Sequence, residues 1–97
     1  MSRALGMTRE LAESVAIQAL SYLAEEPVRI SRFLALAGLD PASLRDAARE
    51  PNFLLGVLDH LAGDETLLRA FAEHAARSPE AIVAARNLLA GEPPTAG

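Results

Sequence analysis

The sequence contains no cysteine, no lysine and no tryptophan. Without cysteine the chain has no disulfide, no thiolate metal ligand and no thiol nucleophile, and it shows no adaptation to an oxidising compartment. Aromatic residues are also scarce, with three Phe and one Tyr, although 51% of the residues are hydrophobic. The core must therefore be built mainly from Leu, Ala, Val and Ile, which favours helices that pack closely through small side chains.

Positive charge and long apolar runs are in short supply as well. All nine basic residues are Arg, and 13 acidic residues bring the net charge to −4, so the chain lacks the basic footprint of a nucleic-acid-binding protein. No stretch approaches the ~20 apolar residues of a membrane span, and the N-terminus lacks the apolar run of a secretory signal. We therefore expect a cytoplasmic protein without a membrane partner.

The length of 97 residues suits a single hydrophobic core, because a chain this short cannot fill two. Apolar periodicity is absent from the first residues and from the final "GEPPTAG". We predict one helical domain over residues 8–90, with a flexible N-terminus at 1–7 and a flexible tail at 91–97.

Proline and glycine mark the ends of the predicted helices. Proline follows an acidic or hydroxyl residue at Glu26, Asp40, Glu50 and Ser78, which is typical of helix starts. Glycine follows apolar runs at three positions, where it favours a left-handed helix end. These glycines are Gly38, Gly63 and Gly91. The six predicted helices span Arg9–Glu25, Val28–Ala37, Pro41–Arg49, Pro51–Ala62, Glu65–Ala76 and Pro79–Ala90.

Apolar residues recur at helical spacing within these ranges, so each longer helix has one face to bury. The first helix gathers Leu11, Val15, Ala19, Tyr22 and Leu23, the fourth Phe53, Leu54, Val57, Leu58 and Leu61, and the fifth Leu67, Leu68, Phe71 and Ala75. The pattern predicts an all-α, compact bundle of five to six short helices. The fourth and fifth helices are expected to form an antiparallel pair.

Residues 30–49 resemble a helix-turn-helix motif for DNA binding, with Gly38 in the turn and Asp40 as the cap of the second helix. The charge pattern argues against this interpretation. Arg45 and Arg49 are each followed by an acidic residue, and the second helix offers no Asn or Gln to read adenine. Nucleic acid is therefore the less favoured partner, and helix-turn-helix DNA binding is kept as the alternative function.

No catalytic or metal-binding pattern is present. His60 and His74 are too far apart along an antiparallel pair to meet, and neither belongs to a His-x3-His motif. We expect both to face solvent. Asp59, Asp64 and Glu65 form a small acidic cluster, but Asp64 and Glu65 suit a helix N-terminus. We predict no cofactor, no metal site and no enzymatic activity.

Four arginines make the only locally positive region and are the candidate partner-binding residues. Arg29 and Arg32 are three residues apart on one predicted helix, and Arg45 and Arg49 are four apart on another, so each pair shares a helix face. A docking surface for an acidic protein is one interpretation, and solvated or paired arginines are the other. Three apolar residues outside the main stripes would mark an interface if they were adjacent. These are Ile17, Leu36 and Leu88.

Three blocks of the sequence together resemble a family of short, uncharacterised alphaproteobacterial all-helical proteins that is classed as a domain of unknown function. The blocks are "AIQALSYLAEE", "RFLALAGLDPASLRDAAREPNFLLGVLDHLAGDETLLRAF" and "SPEAIVAARNLL". The resemblance implies a cytoplasmic bacterial protein and supplies no catalytic residue. It also implies a signalling protein as partner, because genes of this kind lie near response-regulator genes.

The absence of a catalytic pattern and the amphipathic helices with charged rims lead to one function prediction. We expect a small non-enzymatic protein-interaction or adaptor protein, with a protein partner and with homo-oligomers as a further option.

Overall fold

The computed structural model describes residues 7–91 and folds them into six α-helices. Within this range one 3-10 turn precedes the third helix and no β-strand occurs. The helices are α1 (Arg9–Ala24), α2 (Pro27–Ala37), α3 (Leu44–Ala47), α4 (Pro51–Ala62), α5 (Glu65–Ala75) and α6 (Pro79–Leu89). The predicted all-α bundle of five to six short helices is confirmed.

Five of the six helices begin and end within one residue of the predicted bounds. The third helix was predicted too long: the segment predicted as Pro41–Arg49 is a 3-10 turn at Pro41–Ser43 followed by one turn of α-helix. Flexible ends were predicted at 1–7 and 91–97. All of these residues except Met7 and Gly91 lie outside the described residues. Met7, the first described residue, packs partly buried against the core.

Three helices begin with a side-chain cap. The side-chain oxygens of Thr8, Asp64 and Ser78 each accept a hydrogen bond from the backbone amide three residues later, at 3.0 to 3.2 Å. These bonds satisfy amides that have no partner inside the helix. Asp40 was expected to act in the same way, but its side chain forms no cap bond.

The helix ends match the glycine prediction at two positions out of three. Gly38 and Gly91 adopt the left-handed conformation, with φ of 70° and 75°. Gly63 does not, because its φ is −84° and the chain passes from α4 into the next turn in a right-handed conformation. At the end of α5 the left-handed residue is Ala76 instead, with a φ of 55°. Alanine is less favourable than glycine in this conformation, and the helix end is closed locally, by the bond from the Arg77 amide to the Ala72 carbonyl.

The core is centred on α1, which contacts α2, α4, α5 and α6 and packs most extensively against α6. Its buried face includes Ala12, Ala16 and Ala19, all fully inaccessible to solvent. These small side chains let the neighbouring helices approach α1 closely. The remaining buried core residues are Val15, Leu23, Phe33, Leu34, Leu54, Val57, Leu58, Leu61, Leu68, Phe71, Ala72, Ile82 and Ala85.

Helix α4 packs more extensively against α6 and α1 than against α5. The predicted pairing of α4 with α5 is therefore a minor part of how α4 is held. An ion pair adds to the contact with α6, since Nε of Arg86 lies 2.6 Å from Oδ1 of Asp59. None of the helices in residues 7–91 is both long enough and apolar enough to cross a membrane.

Candidate functional site

A groove of about 570 Å³ opens beside α4. Its α4 side is formed by Asn52, Phe53, Gly56, Asp59 and His60. These residues follow the helical repeat, so they lie on one face of α4. The opposite face of the same helix supplies fully buried core residues, and α4 therefore separates the groove from the hydrophobic core.

The other side of the groove is formed by α2 and by the corner between α2 and α4, residues 38–50. Phe33, Leu36 and Ala37 line the groove from α2, and Leu39 and Ala47 line it from the corner and from α3. The lining is thus mostly apolar. Leu36 is 70% exposed, so it adds accessible apolar surface to this side of the groove.

Aromatic rings form the base of the groove. The Phe33 ring packs edge-on against the Phe53 ring, with centroids 5.7 Å apart, and against the His60 ring at 5.1 Å. Phe33 is only 3% exposed, so it anchors the other two rings to the core. Edge-to-face packing of this kind holds aromatic side chains in one geometry.

His60 was expected to face solvent, and that prediction was wrong. The side chain is half-buried against Phe33 because α2 lies across its face of α4. Burial lowers the pKa of His60 below its usual value of 6.5, and the positive charge of Arg32 lowers it further. The carboxylate of Asp64 acts in the opposite direction and is the weakest of the three influences. His60 is therefore neutral at pH 7.

The lowered pKa of His60 predicts that acid destabilises the fold through this residue. A histidine whose pKa is depressed in the folded state takes up its proton more readily when unfolded, so stability is lost as the pH falls from about 6.5 through the folded-state pKa. We expect the His60→Gln protein to lose less stability between pH 7.5 and 5 than the wild type. Urea unfolding at a series of pH values measures the difference, and identical pH profiles would contradict it.

His74 belongs to a different surface. Its ring packs on the Tyr22 ring at 4.9 Å, and its Nε2 lies 3.8 Å from a carboxylate oxygen of Glu25. The side chain is 49% exposed, as the sequence pattern predicted. His60 packs on Phe33 of α2 and His74 packs on Tyr22 of α1, so the two histidine rings lie against different helices.

Arg29 lies in the first turn of α2 and Arg32 near its middle. Both line a pocket with Tyr22 and His60. Arg29 is held in place: its guanidinium stacks 4.0 Å from the Tyr22 ring centroid, and its Nη1 donates to the Tyr22 carbonyl at 3.2 Å. Its Nη2 also lies 3.8 Å from a carboxylate oxygen of Glu26. Arg32 is exposed and forms no ion pair with any carboxylate in residues 7–91.

Arg45 and Arg49 are exposed and lie apart from the pocket that contains Arg29 and Arg32. They do not share the face of one helix as predicted, because α3 ends at Ala47 and Arg49 follows it in a turn. Of the four candidate arginines, the structure brings together only the pair on α2.

The helix-turn-helix resemblance does not extend to the helix geometry. The second helix would have to span Pro41–Arg49, but α3 is four residues long. Pro51 restricts Glu50 to an extended conformation, with ψ of 128°, and so limits the chain available to α3. One turn of helix is too short to lie along a major groove as a recognition helix. The corner is instead anchored by Leu39 and Leu44, which pack against the core.

The acidic residues near the α4–α5 turn are already engaged with other groups. Asp59 pairs with Arg86 at 2.6 Å, and Glu65 pairs with Arg69 at 2.9 Å. Asp64 caps α5. Within residues 7–91, no group of three or more His, Asp or Glu side chains is arranged to hold a metal ion.

The sequence pattern did not identify the groove. Its walls come from α2, α4 and the corner, and no periodicity within one helix reports how separate helices are placed. Two signals were present: Leu36 lay at the edge of its apolar stripe, and Gly56 interrupted an otherwise strong helix. An isolated glycine inside a helix usually has a packing or functional reason.

Comparison with protein families matches residues 9–92 to one family, described as a protein of unknown function (DUF3572). The matched range contains all six helices and the whole groove. No curated protein matches the chain. No solved structure matches it either.

Proposed function

The chain belongs to the DUF3572 family of proteins of unknown function, and we propose that it is a small, non-enzymatic interaction or adaptor protein of the cytoplasm. Its working surface is the outer face of α2, where a protein partner docks. The proposal rests on the side chains that α2 exposes to solvent, because two large apolar residues of this helix are not covered by the core.

The observation that carries the proposal is a ridge of exposed side chains along α2. Val28 is 77% exposed and Leu36 is 70% exposed, with Arg32 midway between them. A spacing of four residues places all three on neighbouring positions of one helix face. Single exposed apolar residues are common, but Val28 and Leu36 lie on one helix face with Arg32 between them, and together they form a stripe that one partner can cover.

The charge of Arg32 indicates the kind of partner. Arginine is enriched at protein interfaces because its planar guanidinium forms paired hydrogen bonds with carboxylates. Arg32 has no carboxylate partner within residues 7–91, so the guanidinium remains available. A carboxylate of a protein partner can pair with this guanidinium without breaking an ion pair within the described residues.

Charge reversal at Arg32 tests the proposal. We expect Arg32→Glu to weaken capture of the partner by about tenfold or more, because a like charge then faces the partner's acidic residue. The measurement is quantitative affinity capture from cells that carry the gene, with the full-length chain as bait. Arg9→Glu is the matched control, because Arg9 is 56% exposed at the start of α1, lies outside the pockets that contain Arg32 and changes the net charge by the same amount on reversal.

Three results would contradict the proposal. The first is equal loss of the partner with both variants, since that would reflect net charge alone. The second is a chain that captures no protein under conditions in which the gene is needed. The third is DNA binding by the wild type at low salt that fades as salt is added, which would favour the helix-turn-helix alternative.

A further inference from the structure

We propose that the groove between α2 and α4 is the binding site for an amphipathic helix of the partner protein, with its apolar face against Phe53 and Leu36 and an acidic side chain directed at Arg32. This inference rests on the proposed function and names the part of the partner that the surface fits. Three features of the groove support it: a glycine that the fold does not require, an apolar base, and an available positive charge at one end.

Gly56 is the most informative of these features. It lies in the middle of α4, where glycine is less favourable than alanine because it loses more backbone freedom on folding. A Cβ atom added at this position would have no neighbouring atom within 4 Å, so packing within residues 7–91 does not require glycine. The residue instead opens the base of the groove. A missing side chain there allows the backbone of another helix to approach α4 closely, as small residues do at close helix contacts.

The dimensions of the groove suit a helix. Its α4 side extends from Asn52 to His60, which corresponds to about 12 Å along the axis, or just over two turns. An amphipathic helix of two to three turns therefore covers it. Such helices bind by apolar side chains spaced three, four and seven residues apart. The exposed Leu36 packs against the edge of the bound helix.

Charge determines which end of the bound helix lies near His60. The end of the groove near His60 adjoins a shallow depression lined by Arg32, Asp59, Asp64 and Glu65. Each of the three carboxylates there is engaged: Asp59 with Arg86, Glu65 with Arg69, and Asp64 as the cap of α5. Asp64 keeps its negative charge as a cap, and the guanidinium of Arg32 is the cation at this end that forms no ion pair within the described residues. An acidic residue at the corresponding end of the partner helix complements it.

Peptide selection on the full-length protein tests the inference. The probe is a displayed library of peptides about 16 residues long, roughly four helical turns. We expect selected peptides to carry apolar residues at helical spacing and an Asp or Glu beside the position that meets Arg32. Binding of the synthesised peptides is then measured on the wild type and on Gly56→Leu, Gly56→Ala, Arg32→Glu and Ala62→Leu.

Filling the groove should separate binding from folding. Gly56→Leu is expected to weaken peptide binding by about tenfold or more, because the new side chain occupies the space that the helix needs. Gly56→Ala should weaken binding less and should raise the unfolding midpoint by about 2 to 8 °C. Ala62→Leu is the control, since Ala62 is exposed on α4 and outside the groove. Arg32→Glu should weaken binding of the acidic peptides and reduce its dependence on salt.

Several outcomes overturn the inference. One is a selection that yields no binding peptide. Another is a set of peptides that bind Gly56→Leu as tightly as the wild type. Sedimentation equilibrium supplies a further one: a wild-type dimer that Gly56→Leu converts to a monomer would assign the groove to a second copy of the chain. A partner protein that is lost with Arg32→Glu but retained with Gly56→Leu would leave the proposed function standing and remove the groove from it.

Discussion

Replacing Phe71 with alanine is expected to lower the free energy of unfolding by about 3 to 5 kcal/mol. Phe71 is fully buried on α5, and its ring lies 5.5 Å from the Tyr22 ring of α1. Removing it loses both the transfer free energy of an aromatic side chain and its contacts with the surrounding core. Natural domains are stable by only about 5 to 15 kcal/mol in total, so this single change removes a large fraction of the stability.

Leucines on two helices provide a matched comparison for the same argument. Leu58 is fully buried and Leu36 is 70% exposed. We expect Leu58→Ala to cost about 2 to 5 kcal/mol and Leu36→Ala to change stability by less than about 0.5 kcal/mol. Urea unfolding followed by circular dichroism measures all three variants. Unchanged midpoints for Phe71→Ala and Leu58→Ala would show that the core is assigned to the wrong residues.

Enlarging a core alanine is also expected to have a large effect, through overpacking of the core instead of a cavity. Ala16 is fully buried on α1, the helix at the centre of the bundle, whose most extensive contact is with α6. A leucine at this position has no space unless the neighbouring helices move apart. We expect Ala16→Leu to destabilise the protein by about 1 to 3 kcal/mol, the usual cost of overpacking a filled core.

The control for this prediction lies on the same helix. Ala24 is the last residue of α1 and is exposed, so Ala24→Leu adds the same atoms without crowding a neighbour. Thermal unfolding should place Ala24→Leu near the wild type and Ala16→Leu about 4 to 8 °C lower for each kcal/mol of destabilisation. An Ala16→Leu protein as stable as the wild type would mean that α1 is not closely packed at this alanine.

Much of the fold could be predicted from local features of the sequence. Proline at Pro27, Pro51 and Pro79 begins a helix in each case, because its fixed φ suits the first helical position and its missing amide costs nothing there. The capping side chains Thr8 and Ser78 act within three residues of themselves. Such signals depend on neighbours in the sequence and so can be identified without knowledge of the tertiary structure.

The third helix shows where local signals are insufficient. Asp40 and Pro41 are residues that favour the start of a helix, but Pro51 follows after only a few residues. The Asp40 side chain also makes no cap bond. Short isolated helices are marginal because their first turn costs more than it contributes. The position of this segment is set by the burial of Leu39 and Leu44 against the core, and helical spacing does not report it.

His60 differs from its prediction for a related reason. On α4 it falls on the polar side, and the sequence therefore predicted exposure to solvent. The structure places α2 across that side, and the packing of Phe33 on the His60 ring removes water and lowers its pKa. The environment of a side chain outside the main apolar stripe depends on which helix lies over it, and the sequence of one helix carries no information about that.

Local sequence signals were therefore enough to predict five of the six helices, most of their ends and much of the core that α1, α4 and α5 supply, because hydrogen bonding, capping and apolar periodicity act over a few residues. The way α2 crosses α4 could not be predicted in this manner, and neither could the groove, the burial of His60 and the separation of Arg32 from Arg45. These features depend on contacts between residues far apart in the chain, where side-chain shape and volume select one packing arrangement among several.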